Sequence, residues 1–279
     1  MNPPSGKAAP QQSNADLQGI AARFVAARRQ AMPLPDFPGS IPADLEAAYR
    51  IQDFAIDSWD VPIGGWKVGR IPPQLEGALG IDRLAGPIFA NTIVAADSGA
   101  MLDMPMYVGG FAAIEAEFVA VIGEDIPAGK MHWSLDEAQA VISDLRIGLE
   151  IASSPLATIN ELGPTVVASD FGNNHGLIIG PSIRDWGTRA LDSMYCSTAV
   201  NGVTVGTGGA ANLTGGFVRS VQFLLELLAR RKRGLRKGDV VATGQTTGIH
   251  DISVGQTGHC DFAADGKLSV RLIAAQPVR

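Results

Sequence analysis

Residues 114 to 127, IEAEFVAVIGEDIP, set two acids into a run whose remaining residues read as a buried β-strand. Side chains along a strand alternate between faces, so Glu115 and Glu117 share one face, roughly 6 to 7 Å apart. Ile114, Ala116 and Phe118 occupy the other face. Two neighbouring carboxylates repel, and burial of either is costly without compensation. The chain must therefore either leave this face in water, as an edge strand would, or supply a cation there. That choice constrains the fold around the strand.

The surrounding texture favours sheet. From about residue 61 the chain runs through short apolar stretches broken by Gly and Pro: GGWKVG, GPIFANTIV, LRIGLEIA, GLIIGP and DVVATG. VNGV at 200 to 203 has the form of a two-residue hairpin turn, with Asn201 and Gly202 taking positive φ. Before residue 61, LQGIAARFVAARRQAM and ADLEAAYRIQDFAIDSW carry apolar residues at helical spacing. SLDEAQAVISDL opens with Ser134 and Glu137 in capping-box spacing and feeds a strand holding Glu150. GFVRSVQFLLELLARRKRG predicts a last helix, preceded by a glycine-rich loop at 208 to 216. That loop could cradle an anion at the helix start, but it lacks a phosphate-loop lysine and reads better as a turn.

With 279 residues, 46% hydrophobic and 18% charged, the composition is that of an ordinary globular protein. Residues 1 to 16 are expected to be a disordered lead-in. Residues 17 to 279 are expected to form one catalytic domain, helical over 17 to 60 and β-rich over 61 to 279. The net charge is −6, and the basic block RRKRGLRKG at 230 to 238 sits where cations suit a helix C-terminus, so nucleic acid is not an expected partner. No stretch has the length of a membrane span, and the 2 cysteines, Cys196 and Cys260, do not make a disulfide framework; a cytoplasmic location is expected.

Glu150 lies in RIGLEIAS, where Gly148, Glu150 and Ala152 alternate with Ile147, Leu149 and Ile151. Its face is thus lined by small residues that leave room. Three carboxylates from two strands make a hard oxygen site suited to Mg²⁺ or Mn²⁺ and not to zinc.

The succession GGWKVG, IEAEFVAVIGEDI, LEIASSP, ASDFGNNHGLIIGP and GDVVATGQTTG resembles the fumarylacetoacetate hydrolase superfamily, in its 2-keto-4-pentenoate hydratase and 2-oxo-3-hexenedioate decarboxylase branch. The resemblance covers roughly residues 60 to 275. It implies an α+β fold, a mixed β-sheet roll with N-terminal helices, and a divalent metal on Glu115, Glu117 and Glu150. It also implies catalytic Lys67 and Asp170, a pocket lined by Thr243 and Gly244, and a homo-oligomer acting on a small 2-oxo acid. The implied activity is water addition to a short 2-hydroxy-2,4-dienoate through a metal-stabilised enolate. Decarboxylation or C–C hydrolysis of a related 2-oxo acid is the alternative, and a non-catalytic acid-binding homologue is a third.

Two of these residues have a physical rationale of their own. Lys67 sits among glycines beside Trp66, which could wall off one side, and burial there would lower an ammonium pKa. A snorkelling surface lysine would show the same motif. Asp170 and His175 sit in a loop-like SDFGNNHG, where turn residues and hydrogen-bonding histidines are common.

The chain also departs from the hydratase pattern. GRIPPQLEG replaces a Leu-Thr-Ser-type stretch, making Arg70 a candidate carboxylate clamp. Ala85 stands where an acid is usual. Asn173 stands near an expected serine and is assigned to substrate binding.

Overall fold

The structure is a computed structural model that describes residues 12–278. Of the expected lead-in, residues 1 to 11 lie outside the described residues. Ser13 accepts from the Asp16 backbone N–H, and the Asp16 side chain answers the Ser13 N–H. This capping box starts the first helix at Asn14, three residues before the expected start.

The helices are α1 (Asn14–Gln30), α2 (Leu45–Asp57), α3 (Pro73–Leu79), α4 (Leu135–Ala140), α5 (Pro164–Ser169) and α6 (Gly216–Arg230). The strands are β1 (Ile63–Arg70), β2 (Arg83–Phe89), β3 (Ile93–Ala95), β4 (Met101–Met106), β5 (Phe111–Ile122), β6 (Ile142–Ser154) and β7 (Asn174–Ser182). They continue with β8 (Tyr195–Val200), β9 (Val203–Gly209), β10 (Val240–Gln245), β11 (His250–Asp251), β12 (Thr257–Asp261) and β13 (Lys267–Ala274). The fold is α+β with mixed sheets, as the sequence leads one to expect. An eight-stranded sheet runs β2-β1-β10-β5-β6-β7-β3 with β11 on β5, and a five-stranded sheet runs β4-β13-β12-β8-β9. Asn201 and Gly202 make the β8–β9 hairpin with φ of 50° and 79°. The glycine-rich segment at 208 to 216 is not all loop: β9 extends through Gly209.

β5 is a central strand, between β10 and β6. Its even-numbered residues, including Ala116 and Phe118, face the main core with Leu149, Ile151 and Val241. The odd face carries a small second cluster with Val119, Leu177 and Ala242, and continues into the acids. Cross-strand register fixes this sharing: Lys67 pairs with Ala242, and Ala242 with Val119, whereas Trp66 pairs with Val241. Paired residues point to the same side, so Lys67 joins the acid face and Trp66 the core face. Trp66 therefore does not wall off Lys67. Its ring instead lies 5.4 Å beneath the guanidinium of Arg231.

The basic block at 230 to 238 is spent on packing. Arg231 and Arg233 pair with Asp53 on α2 at 2.7 and 3.0 Å, and Arg236 donates to the Ile63 carbonyl. No helix among the described residues is long and apolar enough to cross a membrane.

Candidate metal centre and active site

Glu115 lies directly opposite Glu150 in the β5–β6 ladder, and Glu117 lies opposite Gly148. Like charges in cross-strand register destabilise a sheet, and here water does not screen them. Glu115 is 3% exposed, and Glu117 and Glu150 are 0% exposed. The edge-strand alternative is thereby removed.

One ligand atom from each of the three acids can be chosen so that all lie within 4.8 Å of one another. Each acid also keeps one buried oxygen without a hydrogen bond: Glu115 Oε1, Glu117 Oε1 and Glu150 Oε2. The other oxygens of two of them are held in place. Gly244 N–H donates to Glu117 Oε2 at 3.0 Å, and Asn174 Nδ2 donates to Glu150 Oε1 at 2.9 Å. Burial pushes Glu115 up to about 7, partly opposed by Lys67, and pushes Glu117 well above the usual carboxylate range. Three clustered carboxylates, each with an orphan oxygen, make an all-oxygen donor set that fits a divalent cation such as Mg²⁺ or Mn²⁺. With all three acids ionised, Lys67 balances one negative charge and a divalent cation would balance the other two.

Lys67 Nζ lies 3.5 Å from Glu150 Oε1 and donates to Asn173 Oδ1 at 3.2 Å. Burial would lower its pKa, as the sequence argument supposed. The facing Glu150, Glu115 and Glu117 outweigh burial and hold it above the ordinary lysine value.

Asn173 reaches Lys67 from an unusual turn. Phe171, Gly172 and Asn173 take φ of 54°, 64° and 56°, three consecutive left-handed residues. Such conformations cost of order 1–3 kcal/mol at non-glycine positions and gather at functional sites. Gly172 suits this φ, and a Cβ there would crowd the Gly86 backbone and Lys67 Cδ, each at 3.1 Å.

Asp170 is buried beside this turn. Arg28 and Ser154 occupy both of its oxygens. It anchors the turn and does not line the cavity described below. His175 is half-buried, its ring 4.3 Å from that of Tyr107, and burial with Arg28 nearby pulls its pKa down to about 3.

A cavity of about 350 Å³ opens onto the centre. Lys67, Glu115, Asn173 and Gln245 line its inner end, and Arg70 lines it further out. Thr243 and Gly244, expected as pocket residues, do not line it. Thr243 Oγ1 donates to the Phe118 carbonyl at 2.7 Å. Thr243 follows Ala242 and so takes the opposite face, and a bulge in β10 displaces Gly244: Ala242 pairs with Val119, but Gln245 pairs with Glu117. The extra residue turns Gly244 to φ 120° and moves Gln245 onto the acid face. The sequence signal for such a bulge is the glycine in VVATGQ. Ala85, where an acid is usual, is 0% exposed; its N–H donates to the Tyr49 hydroxyl and its carbonyl accepts from Gln52.

A buried three-carboxylate centre with an adjoining lysine, on the inner face of a mixed β-roll, defines a class of metal-binding α+β protein. Residues 88–272 match the family model described as fumarylacetoacetate (FAA) hydrolase C-terminal, and the chain belongs to that family. The matched residues contain all three acids; Lys67 and Arg70 precede them. Among solved structures, the chain is similar to 4-oxalocrotonate decarboxylase from Pseudomonas putida G7 complexed with magnesium and adipate. The TM-score is 0.76 at 21% identity, covering 94% of this chain and 99% of that one. Fumarylpyruvate hydrolase from Pseudomonas aeruginosa, in complex with Mn²⁺ and pyruvate, gives a TM-score of 0.57 at 19% identity over 78% of this chain and 94% of that one. For 2-hydroxyhepta-2,4-diene-1,7-dioate isomerase from Mycobacterium marinum the TM-score is 0.53 at 19% identity, over 77% of each chain.

Proposed function

We propose that the protein is a divalent-metal-dependent lyase that adds water to a short 2-hydroxy-2,4-dienoate. The observation that carries the reading is a buried Lys67 set 3.5 Å from Glu150, one of three buried carboxylates with orphan oxygens, with Lys67 and Glu115 lining one cavity. Glu115, Glu117 and Glu150 would hold Mg²⁺ or Mn²⁺. When bound, the cation supplies Lewis-acid withdrawal of electron density from a 2-oxo or 2-hydroxy group.

The chain's own residues then have distinct tasks. Lys67 Nζ, fixed by Asn173 Oδ1, moves a proton or carries positive charge beside the enolate that forms as the substrate ketonises. Asn173 in turn donates to Asn160 Oδ1 at 3.2 Å, so its orientation is set from both sides. Asp170 acts by positioning this turn. Buried Leu84, with Leu75 and Val167, keeps much of the cavity wall apolar and limits water near the reacting carbons.

Decarboxylation of a 2-oxo acid is a second reading. It is favoured by the likeness to 4-oxalocrotonate decarboxylase, which extends over nearly the whole of both chains. Incubating the Mg²⁺-loaded protein with 2-hydroxydienoates, 2-oxoenedioates and acylpyruvates separates the readings by product. A 4-hydroxy-2-oxo acid supports hydration, CO₂ supports decarboxylation, and two cleaved acids support C–C hydrolysis. No product from any class would overturn the enzymatic reading.

A further inference from the structure

A second cavity, of about 240 Å³, shares no lining residue with the one at the metal centre. Its lining carries two aromatic pairs: Trp59 with Phe89, ring centroids 5.4 Å apart, and Tyr107 with His175, 4.3 Å apart. Buried Arg28 also lines it, 5.5 Å from the centre of the Tyr107 ring.

The charge on this lining is balanced. Among the described residues, Arg28 is the only charged group there, and Asp170 takes it in a two-pronged ion pair. His175 is neutral at ordinary pH. An ion entering the cavity would lose its hydration without meeting a free counter-charge, so the lining suits a neutral molecule.

The lining also has polar atoms to offer. Tyr107 is 2% exposed, and burial pushes its hydroxyl up to about 12, partly opposed by Arg28, so it stays protonated. No described residue accepts a hydrogen bond from it. Two ring nitrogens on the lining residues, Trp59 Nε1 and His175 Nε2, are buried without a hydrogen-bond partner. Such groups are few in folded proteins, and an apolar pocket with a few polar groups is the usual form of a small-molecule site.

We propose that this cavity is a second ligand site, for a neutral single-ring phenol whose ring packs among the aromatic side chains and whose oxygen meets the Tyr107 hydroxyl. The size is adequate: an apolar cavity of ~150 Å³ already holds benzene, and the larger volume here admits a substituted ring. The site is separate from the metal centre and independent of the reaction carried out there.

The test is calorimetric titration of the protein with 4-methylphenol and toluene, which differ only in the hydroxyl. The wild-type protein should bind 4-methylphenol about five- to tenfold more tightly, the scale of one neutral hydrogen bond. Tyr107→Phe keeps the ring against His175 and should lose that preference. Ala275 is part of the same wall, and its N–H donates to the Met106 carbonyl at 2.8 Å, a bond that any side chain leaves in place. Ala275→Phe should therefore fill the cavity and abolish binding of both ligands, with circular dichroism and Mg²⁺ affinity as in the wild type. Absence of 4-methylphenol binding, equal wild-type affinities, a preference that survives in Tyr107→Phe, or binding unchanged in Ala275→Phe would overturn the proposal. Should Ala275→Phe not fold, the Tyr107→Phe comparison decides alone.

Discussion

Arg28 and Asp170, 142 residues apart in sequence, form a buried two-pronged ion pair: Nε donates to Oδ1 at 2.5 Å and Nη2 to Oδ2 at 3.0 Å. The same guanidinium donates to the carbonyls of Asn174 at 2.9 Å and Ser153 at 3.3 Å. Helix α1 therefore clamps the end of β6, the left-handed turn and the start of β7. Asn173 and Asn174, which hold Lys67 and Glu150, sit inside that clamp.

Removing one partner of a buried ion pair leaves the other charge without compensation. Arg28→Ala should lower unfolding free energy by about 3–5 kcal/mol, measured by urea denaturation. Arg28→Lys should recover only part of this, because an ammonium cannot reproduce the planar fork that spans Asp170 and two carbonyls. A loss below about 1 kcal/mol in Arg28→Ala would show that the clamp contributes little to the fold.

Glu117→Gln keeps the side-chain shape and an oxygen able to accept from Gly244 N–H, but removes the charge. Folding should be preserved, while Mg²⁺ or Mn²⁺ affinity falls at least about tenfold. Isothermal titration calorimetry reads this directly, and unchanged affinity would remove Glu117 from the metal centre.

Lys67→Met retains most of the stem against Gly172 and deletes the cation. Turnover should fall by on the order of 10² or more. Mg²⁺ affinity should be unchanged or tighter, because the ammonium beside the three acids has gone. Near-normal kcat would reject a catalytic lysine, and loss of the fold would make Lys67 a structural residue.

His175 should make the protein acid-sensitive. Its imidazole is held neutral in the folded state, with a pKa pulled down to about 3 by burial and by Arg28. In the unfolded chain it takes up a proton near its ordinary value of about 6.5. Stability from this group is complete above that value and declines as pH falls toward 3, by up to about 1.4 kcal/mol per unit. His175→Phe, which keeps a ring against Tyr107, should match the wild type at pH 7 in chemical denaturation. At pH 5 it should be the more stable of the two. Parallel pH dependence of both proteins would show that His175 does not titrate on unfolding.

What the sequence determined by itself is what the backbone repeats locally. A period of two placed Glu115 with Glu117, and Glu150 with Gly148 and Ala152, on shared faces. The Asn201-Gly202 turn and the Ser134–Glu137 capping box were equally legible, because each is settled within four residues. The same local rule misled for Trp66, since adjacency to Lys67 along a strand means opposition across the sheet. Tertiary structure alone decided that β5 is central and its acids buried, that Glu115 faces Glu150, and that Arg28 from α1 holds Asp170. It also decided that one extra residue in β10 substitutes Gln245 for Gly244 on the acid face. Register, sheet order and bulges depend on pairing between strands distant in the chain, and the free energy of that pairing is not contained in any one segment.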